Sequence, residues 1–221
     1  MMKNSYKLIA YDLCPYVHRV LTLIKYLDIH CDIDYIDLQN KPDWFLKLCP
    51  TGKVPTLIVN YNILFESSAI NEYLNETTGG GLLPSDPITR AKNRAWTDFG
   101  SSLIMQHTSL FNQTTAEDFK AAKDRFNHTL SFVEQEIKEG PLFNGKEFTL
   151  IDAAYAPLFL KIEILEKHYP LKLLDNTPKL SRWSQTLLET PCVKQMIPEG
   201  FEDKLVARIK STDNYIGLIN K

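Results

Sequence analysis

One cysteine stands where a thiol could react: Cys14, in the stretch Asp12-Leu13-Cys14-Pro15-Tyr16-Val17-His18-Arg19. The apolar run Tyr6 to Tyr11 before it reads as a buried strand, and Val20 to Leu27 after it reads as a helix. Pro15 suits a first helical turn, where a missing N–H costs nothing. Free N–H groups and the positive end of the helix dipole favour an anion at that point, and a thiolate is one. Such settings lower a cysteine pKa from about 8.5 to between roughly 3.5 and 7.5. Cys14 is therefore expected to be nucleophilic at neutral pH, the alternative being the small buried apolar residue that most free cysteines are. His18 lies one helical turn on. It would stabilise a thiolate if it faced the sulfur and were protonated, whereas the plainer reading is a solvent-facing helical histidine.

The elements that must position this stretch follow from pattern. Cys31 to Leu38 alternates polar and apolar residues and predicts a second strand, so that strand, helix and strand make a βαβ unit. Lys41 to Leu48 predicts a short irregular helix with Pro42 in its first turn, ending at the turn Cys49-Pro50-Thr51-Gly52. Lys53 to Val59 and Ile63 to Phe65 predict a hairpin around Asn60-Tyr61-Asn62. Glu66 to Leu74 predicts a helix with its early serines as N-caps.

Composition shifts at Thr77 to Pro87, a linker rich in glycine and proline. Beyond it the pattern is helical: Ile88 to Leu110, Glu117 to Glu139, Leu150 to His168, Lys179 to Glu189 and Glu202 to Ile209. Thr149 and Asp152 form a capping pattern, and the helix they open is apolar nearly all round, so it should lie at the centre of a bundle and bend at Pro157. That motif is structural and carries no chemistry.

The whole chain of 221 residues is 44% hydrophobic and 24% charged, the balance of a globular protein able to bury a sizeable core. A formal net charge of -2 gives no general attraction to nucleic acid or an anionic membrane, and neither partner is expected. No apolar run approaches the ~20 residues of a membrane span, and the first residues lack a signal peptide's pattern, so a cytoplasmic location is expected. Cys14, Cys31, Cys49 and Cys192 are spaced too irregularly for a zinc site or a disulfide framework.

The order of elements, with Cys14-Pro15-Tyr16, Lys41-Pro42-Asp43-Trp44-Phe45, Lys53-Val54-Pro55-Thr56-Leu57, Glu66-Ser67 and the Thr149/Asp152 capping box, resembles a cytosolic glutathione transferase along essentially the full length. The resemblance implies an α/β thioredoxin-like N-terminal domain (1–78), a linker (79–88) and an all-α C-terminal helical domain (89–221). Among the classes it is most similar to omega, whose members carry cysteine where others use tyrosine or serine. Two positions depart from the pattern: Cys49-Pro50 stands where many members have Asn-Pro, and His18 where omega members often have an acid.

The resemblance also implies a site. Cys14 would be catalytic and glutathione the co-substrate, with no metal. Val54 and Pro55 would form a cis peptide, the Val54 backbone pairing with the glutathione cysteine. Glu66 and Ser67 would hold the γ-glutamyl end, and Lys41 would face the glycine carboxylate. A single reactive cysteine points to a glutathione-dependent thiol transferase or reductase acting on a small oxidised or electrophilic acceptor, as a homodimer. The alternatives are a conjugase or isomerase on small electrophiles and a non-catalytic protein-binding adaptor. The acceptor pocket should lie between the domains. Phe99, Leu103, His107 and Phe111 recur there at helical spacing, though they read first as core, as does Trp183. Cys49, Cys31 and Cys192 are expected to be bystanders.

Overall fold

The computed structural model describes residues 4–219. Four short strands, β1 (Tyr6–Ala10), β2 (Asp32–Tyr35), β3 (Thr56–Val59) and β4 (Asn62–Phe65), form one mixed sheet in the order β2-β1-β3-β4. β2 runs parallel to β1, while β3 runs antiparallel to both β1 and β4. The crossover helix α1 (Pro15–Tyr26) connects β1 to β2, as the βαβ pattern predicts. α2 (Asp43–Leu48) precedes β3, and α3 (Ser67–Thr77) follows the hairpin.

Three of the strands are shorter than the apolar pattern suggests, while β4 begins one residue early, at Asn62. β2 is an edge strand and pairs over four residues only, so the rest of Cys31 to Leu38 has no ladder to join. β3 begins after the proline because Pro55 has no N–H to donate. The Val54-Pro55 bond is cis, as the resemblance implies.

A second, helical part follows: α4 (Pro87–Leu110), α5 (Ala116–Glu136), α6 (Leu150–His168), α7 (Pro178–Glu189), α8 (Pro191–Gln195), α9 (Phe201–Ser211) and α10 (Tyr215–Ile219). α4 takes the last two residues expected in the linker. Asp86 caps it by accepting the Thr89 N–H at 2.8 Å, and Pro87 sits at its first position. α5 stops before Glu139 because Ile137 turns extended. α8 and α10 are too short for periodicity to announce.

α6 is the centre of the packing, against α1 on one side and α4 and α7 on others. Its residues Ile151, Ala153, Tyr155, Ala156 and Phe159 have no exposed surface, and each large apolar side chain so buried contributes roughly 1.5–3 kcal/mol. Gly100 lets α4 approach: a Cβ there would lie 2.6 Å from the Tyr155 ring. Tyr155 in turn donates its hydroxyl to the Trp96 carbonyl at 3.0 Å. That approach turns the Asp98–Met105 stretch of α4 toward the cleft between the two parts.

The two parts are tied by Arg19, a fully buried guanidinium on α1. Its Nε donates to the Ala154 carbonyl and its Nη1 to the Ser101 hydroxyl, both at 2.8 Å. No carboxylate pairs with it among the described residues, and burial brings its pKa down to about 10.

Candidate functional site

Cys14 is the N-cap of α1, in extended conformation, with Pro15 next. The placement is the expected one, but its acidity is not. Burial pushes the Cys14 thiol above its ordinary value. The backbone N–H groups of Val17 and Tyr16 and the charges of Lys161 and Arg19 act the other way, and they do not outweigh burial. The expected low-pKa thiolate is thus corrected to a resting thiol with a prepared anion site around it. Its Sγ lies 3.8 Å from the Val54 carbonyl, the oxygen of the cis Val54-Pro55 peptide itself.

His18 corrects a second expectation. It is fully buried, its Nε2 is 2.7 Å from the Asp12 carbonyl, and its ring packs edge-on to Phe201. Burial lowers its pKa to about 4, so it is a neutral ring at pH 7 and supplies no charge to the sulfur.

Two adjoining cavities meet at Tyr16, whose side chain lines both. The first, of about 470 Å³, is polar and holds three of the residues singled out above with Pro55: Val54, Glu66 and Ser67. Ser67 is buried at the first position of α3, so the opening N–H groups of that helix face the cavity. The expected serine N-cap is replaced by Glu66, which makes no side-chain cap bond. Glu66 sits at φ 67°, ψ 116°, a backbone strain of roughly 1–3 kcal/mol stored in the wall of the site. Lys41 does not join this lining. Its ammonium lies close to Gly52, and Lys53 is the lysine that lines the cavity.

Two further polar residues come from α4, which sequence reasoning did not connect to the first part. Asp98 and Ser101 line the same polar cavity opposite Glu66 and Ser67. Nothing in their spacing signals this, because they depend on how α4 crosses the cleft.

The second cavity, of about 530 Å³, opens on Cys14 and is walled by Leu13, Ile104, Phe111, Leu165 and Leu205 among others. His107 and Phe111 of the helical stripe line it. Leu103 is fully buried in the core, and Phe99 packs on Trp96. Trp183 is core, as expected, donating its Nε1 to Asp152 at 2.8 Å.

Lys161 is the residue the sequence reading missed. It projects from α6 into this cavity, and its Nζ donates to the Leu13 carbonyl, one residue before the sulfur, at 3.0 Å. Burial brings its pKa down to about 8, opposed by Cys14. Its signal was a lone lysine inside an otherwise apolar run, Leu158-Phe159-Leu160-Lys161-Ile162. A charge at a core position of the central helix asks for a reason.

All four cysteines are free. Burial raises Cys31 and Cys192 to about 11. Cys49 is buried too, and burial raises its thiol, but hydrogen bonds from Thr51, Thr56 and the Lys53 backbone together hold it below the ordinary value. Among the described residues no group of three or more His, Cys, Asp or Glu could hold a metal, and no helix is long and apolar enough to cross a membrane.

Comparison with known proteins converges on one family. Residues 13–77 match the family "Glutathione S-transferase, N-terminal domain", and residues 96–191 match "Glutathione S-transferase, C-terminal domain". A probable glutathione S-transferase of Glycine max is 33% identical over 95% of this chain and 94% of its own. Glutathione S-transferase omega-1 of Rattus norvegicus is 32% identical over 80% of this chain and 74% of its own. Among solved structures, a tau-class enzyme from mango superposes with TM-score 0.82 at 28% identity, covering 93% of this chain and 97% of that one.

Proposed function

The chain belongs to the glutathione S-transferase family, and from that premise we propose that it is a glutathione-dependent thiol transferase, of omega type, working through Cys14. Glutathione is the substrate of this family, and the polar cavity suits it. The α3 N-terminus with Ser67 offers N–H donors to the γ-glutamyl carboxylate, and Glu66 and Asp98 offer acceptors to its amine. The Val54 backbone meets the cysteinyl amide beside Cys14. Lys53, with Lys41 close to Gly52, supplies positive charge toward the glycine carboxylate.

The observation that carries the reading is the thiol itself. Cys14 holds the helix-start position, within 3.8 Å of the Val54 carbonyl and in the cavity that Lys161 lines. A cysteine there bonds covalently to glutathione, where a hydroxyl would only hydrogen-bond to its sulfur.

The cycle balances without a metal. The Cys14 sulfur attacks the glutathionyl sulfur of a mixed disulfide R–S–S–G, and R–S⁻ leaves and takes a proton. The Cys14–glutathione disulfide is then opened by a second glutathione thiolate, giving oxidised glutathione and returning Cys14 as thiolate. In that step Cys14 is the leaving group, and the N–H groups of Tyr16 and Val17 with the Lys161 ammonium stabilise its charge. Residues 1–78 would thus hold glutathione, and 89–221 would shape the acceptor side, beyond the linker 79–88. The reading extends to a cytosolic homodimer.

The test is intact mass after incubation with oxidised glutathione, with peptide mapping and a reduced-glutathione chase. One adduct on Cys14 that the chase removes is the expected result. No adduct, or an adduct confined to the other cysteines, would sink the reading; glutathione conjugation without a Cys14 adduct would put the conjugase in its place.

A further inference from the structure

The cavity beside Cys14 has a charge pattern that apolar packing does not require. Its walls are largely aliphatic and aromatic, and among the described residues no aspartate or glutamate lines it. Two cations do: Lys161 beside the sulfur and Arg208 from α9. Neither makes an ion pair with a carboxylate among the described residues, although ion pairs occur elsewhere on the same helix, as between Lys204 and Asp12 at 2.6 Å.

An ammonium has three N–H donors, and Leu13 takes one from Lys161. The polar groups around it do not supply the missing charge. Cys14 rests as a thiol, and His107 from α4, which burial holds neutral with a pKa of about 3, carries no negative charge. Tyr11 and Tyr16 are held in their neutral hydroxyl forms, Arg19 is a cation, and His18 is neutral. A half-buried cation facing an apolar, solvent-accessible space is costly unless something anionic arrives to pair with it.

We propose that this cavity takes acceptors with an apolar body and an anionic group, the anion pairing with Lys161 while the apolar part fills the space between Ile104, Phe111 and Leu165. This deepens the thiol-transfer reading, because it names the class of molecule presented to Cys14. The apolar walls select for size and shape, and Lys161 selects for charge, which orients one end of the acceptor toward the sulfur. Arg208 steers the same charge at the cavity's edge.

The test uses a matched pair, 4-biphenylacetate and its neutral amide, 4-biphenylacetamide, titrated calorimetrically into the full chain with saturating reduced glutathione. The carboxylate should bind about tenfold more tightly than the amide. Lys161→Met should erase that difference while leaving amide affinity within about twofold, which also reports an intact cavity, and Lys161→Arg should keep it. Equal binding of the pair by the unmutated protein, or no binding of either, overturns the proposal. So does a preference that survives Lys161→Met, including one lost only in Arg208→Ala. Because binding needs no thiol chemistry, the two readings fail separately. A carboxylate preference without a glutathione adduct on Cys14 removes thiol transfer alone, and an adduct without the preference removes the anionic acceptor alone.

Discussion

Two helix starts in this protein are built on opposite plans. At the start of α6, Asp152 is fully buried and every lone pair it offers is used. Its Oδ1 accepts from the Phe143 N–H at 3.2 Å and from Trp183 Nε1 at 2.8 Å, and its Oδ2 accepts from the Thr149 N–H and hydroxyl, both at 2.7 Å. At the start of α1, Cys14 makes no side-chain cap bond, and its sulfur opens on a cavity. The same local physics, unpaired N–H groups and a dipole, is spent on stability in one place and left available in the other. Saturation seals a site, and the unsatisfied helix start is the one that can act on something from outside.

Exchanging the two outcomes should therefore fail in opposite ways. The largest effect is expected at the open start: Cys14→Ala should cut thiol transfer by at least about a thousandfold while shifting unfolding free energy by less than about 1 kcal/mol. A disulfide-exchange assay on a glutathionylated peptide and urea unfolding measure both halves. Full retention of exchange by this variant would remove Cys14 from the mechanism.

At the sealed start the balance reverses. Asp152→Ala leaves the Trp183, Phe143 and Thr149 donors buried without an acceptor, and should cost about 4 kcal/mol of stability. In whatever fraction stays folded, Cys14 should be alkylated by iodoacetamide at the unmutated rate. A slower rate in folded protein would show that the two starts are coupled.

Two buried histidines, His18 and His107, give a smaller, pH-dependent effect. His18 and His107 have folded pKa values of about 4 and about 3, below the ordinary 6.5. The unfolded chain takes up protons first as pH falls, so the stability tied to these neutral rings is complete above pH 6.5. It drains away on acidification until the folded values are reached. Each ring should account for about 2 kcal/mol of loss between pH 7 and pH 5. His107→Leu should flatten the fall in urea midpoint over that range by about half, and an unchanged slope would contradict the assignment.

The finest test concerns the charge at the open start. The alkylation midpoint of Cys14 should lie above that of an ordinary cysteine, since burial dominates, and Lys161→Met should move it further up by removing a charge that favours the thiolate. Lys161→Arg should restore it. An unmoved midpoint would reduce Lys161 to a tether between α6 and the Leu13 carbonyl.

Much of this molecule is determined locally. The strand-to-helix turn at Cys14, the capping box at Thr149 and Asp152, and the order of strands and helices follow from periodicity, proline placement and capping chemistry, which act over a few residues. The sequence thereby determined the longer elements and their order, and that a thiol stands at a helix start, but not the short α8 and α10. Tertiary structure decided the rest. The acidity of Cys14, the neutrality of His18, the place of Lys53 in the lining of the polar cavity, and the arrival of Asp98 and Lys161 opposite residues far away in the chain all depend on what packs against what. Desolvation and charge pairing are properties of a neighbourhood, and α4 and α6 build that neighbourhood only when the two parts of the chain close on one another.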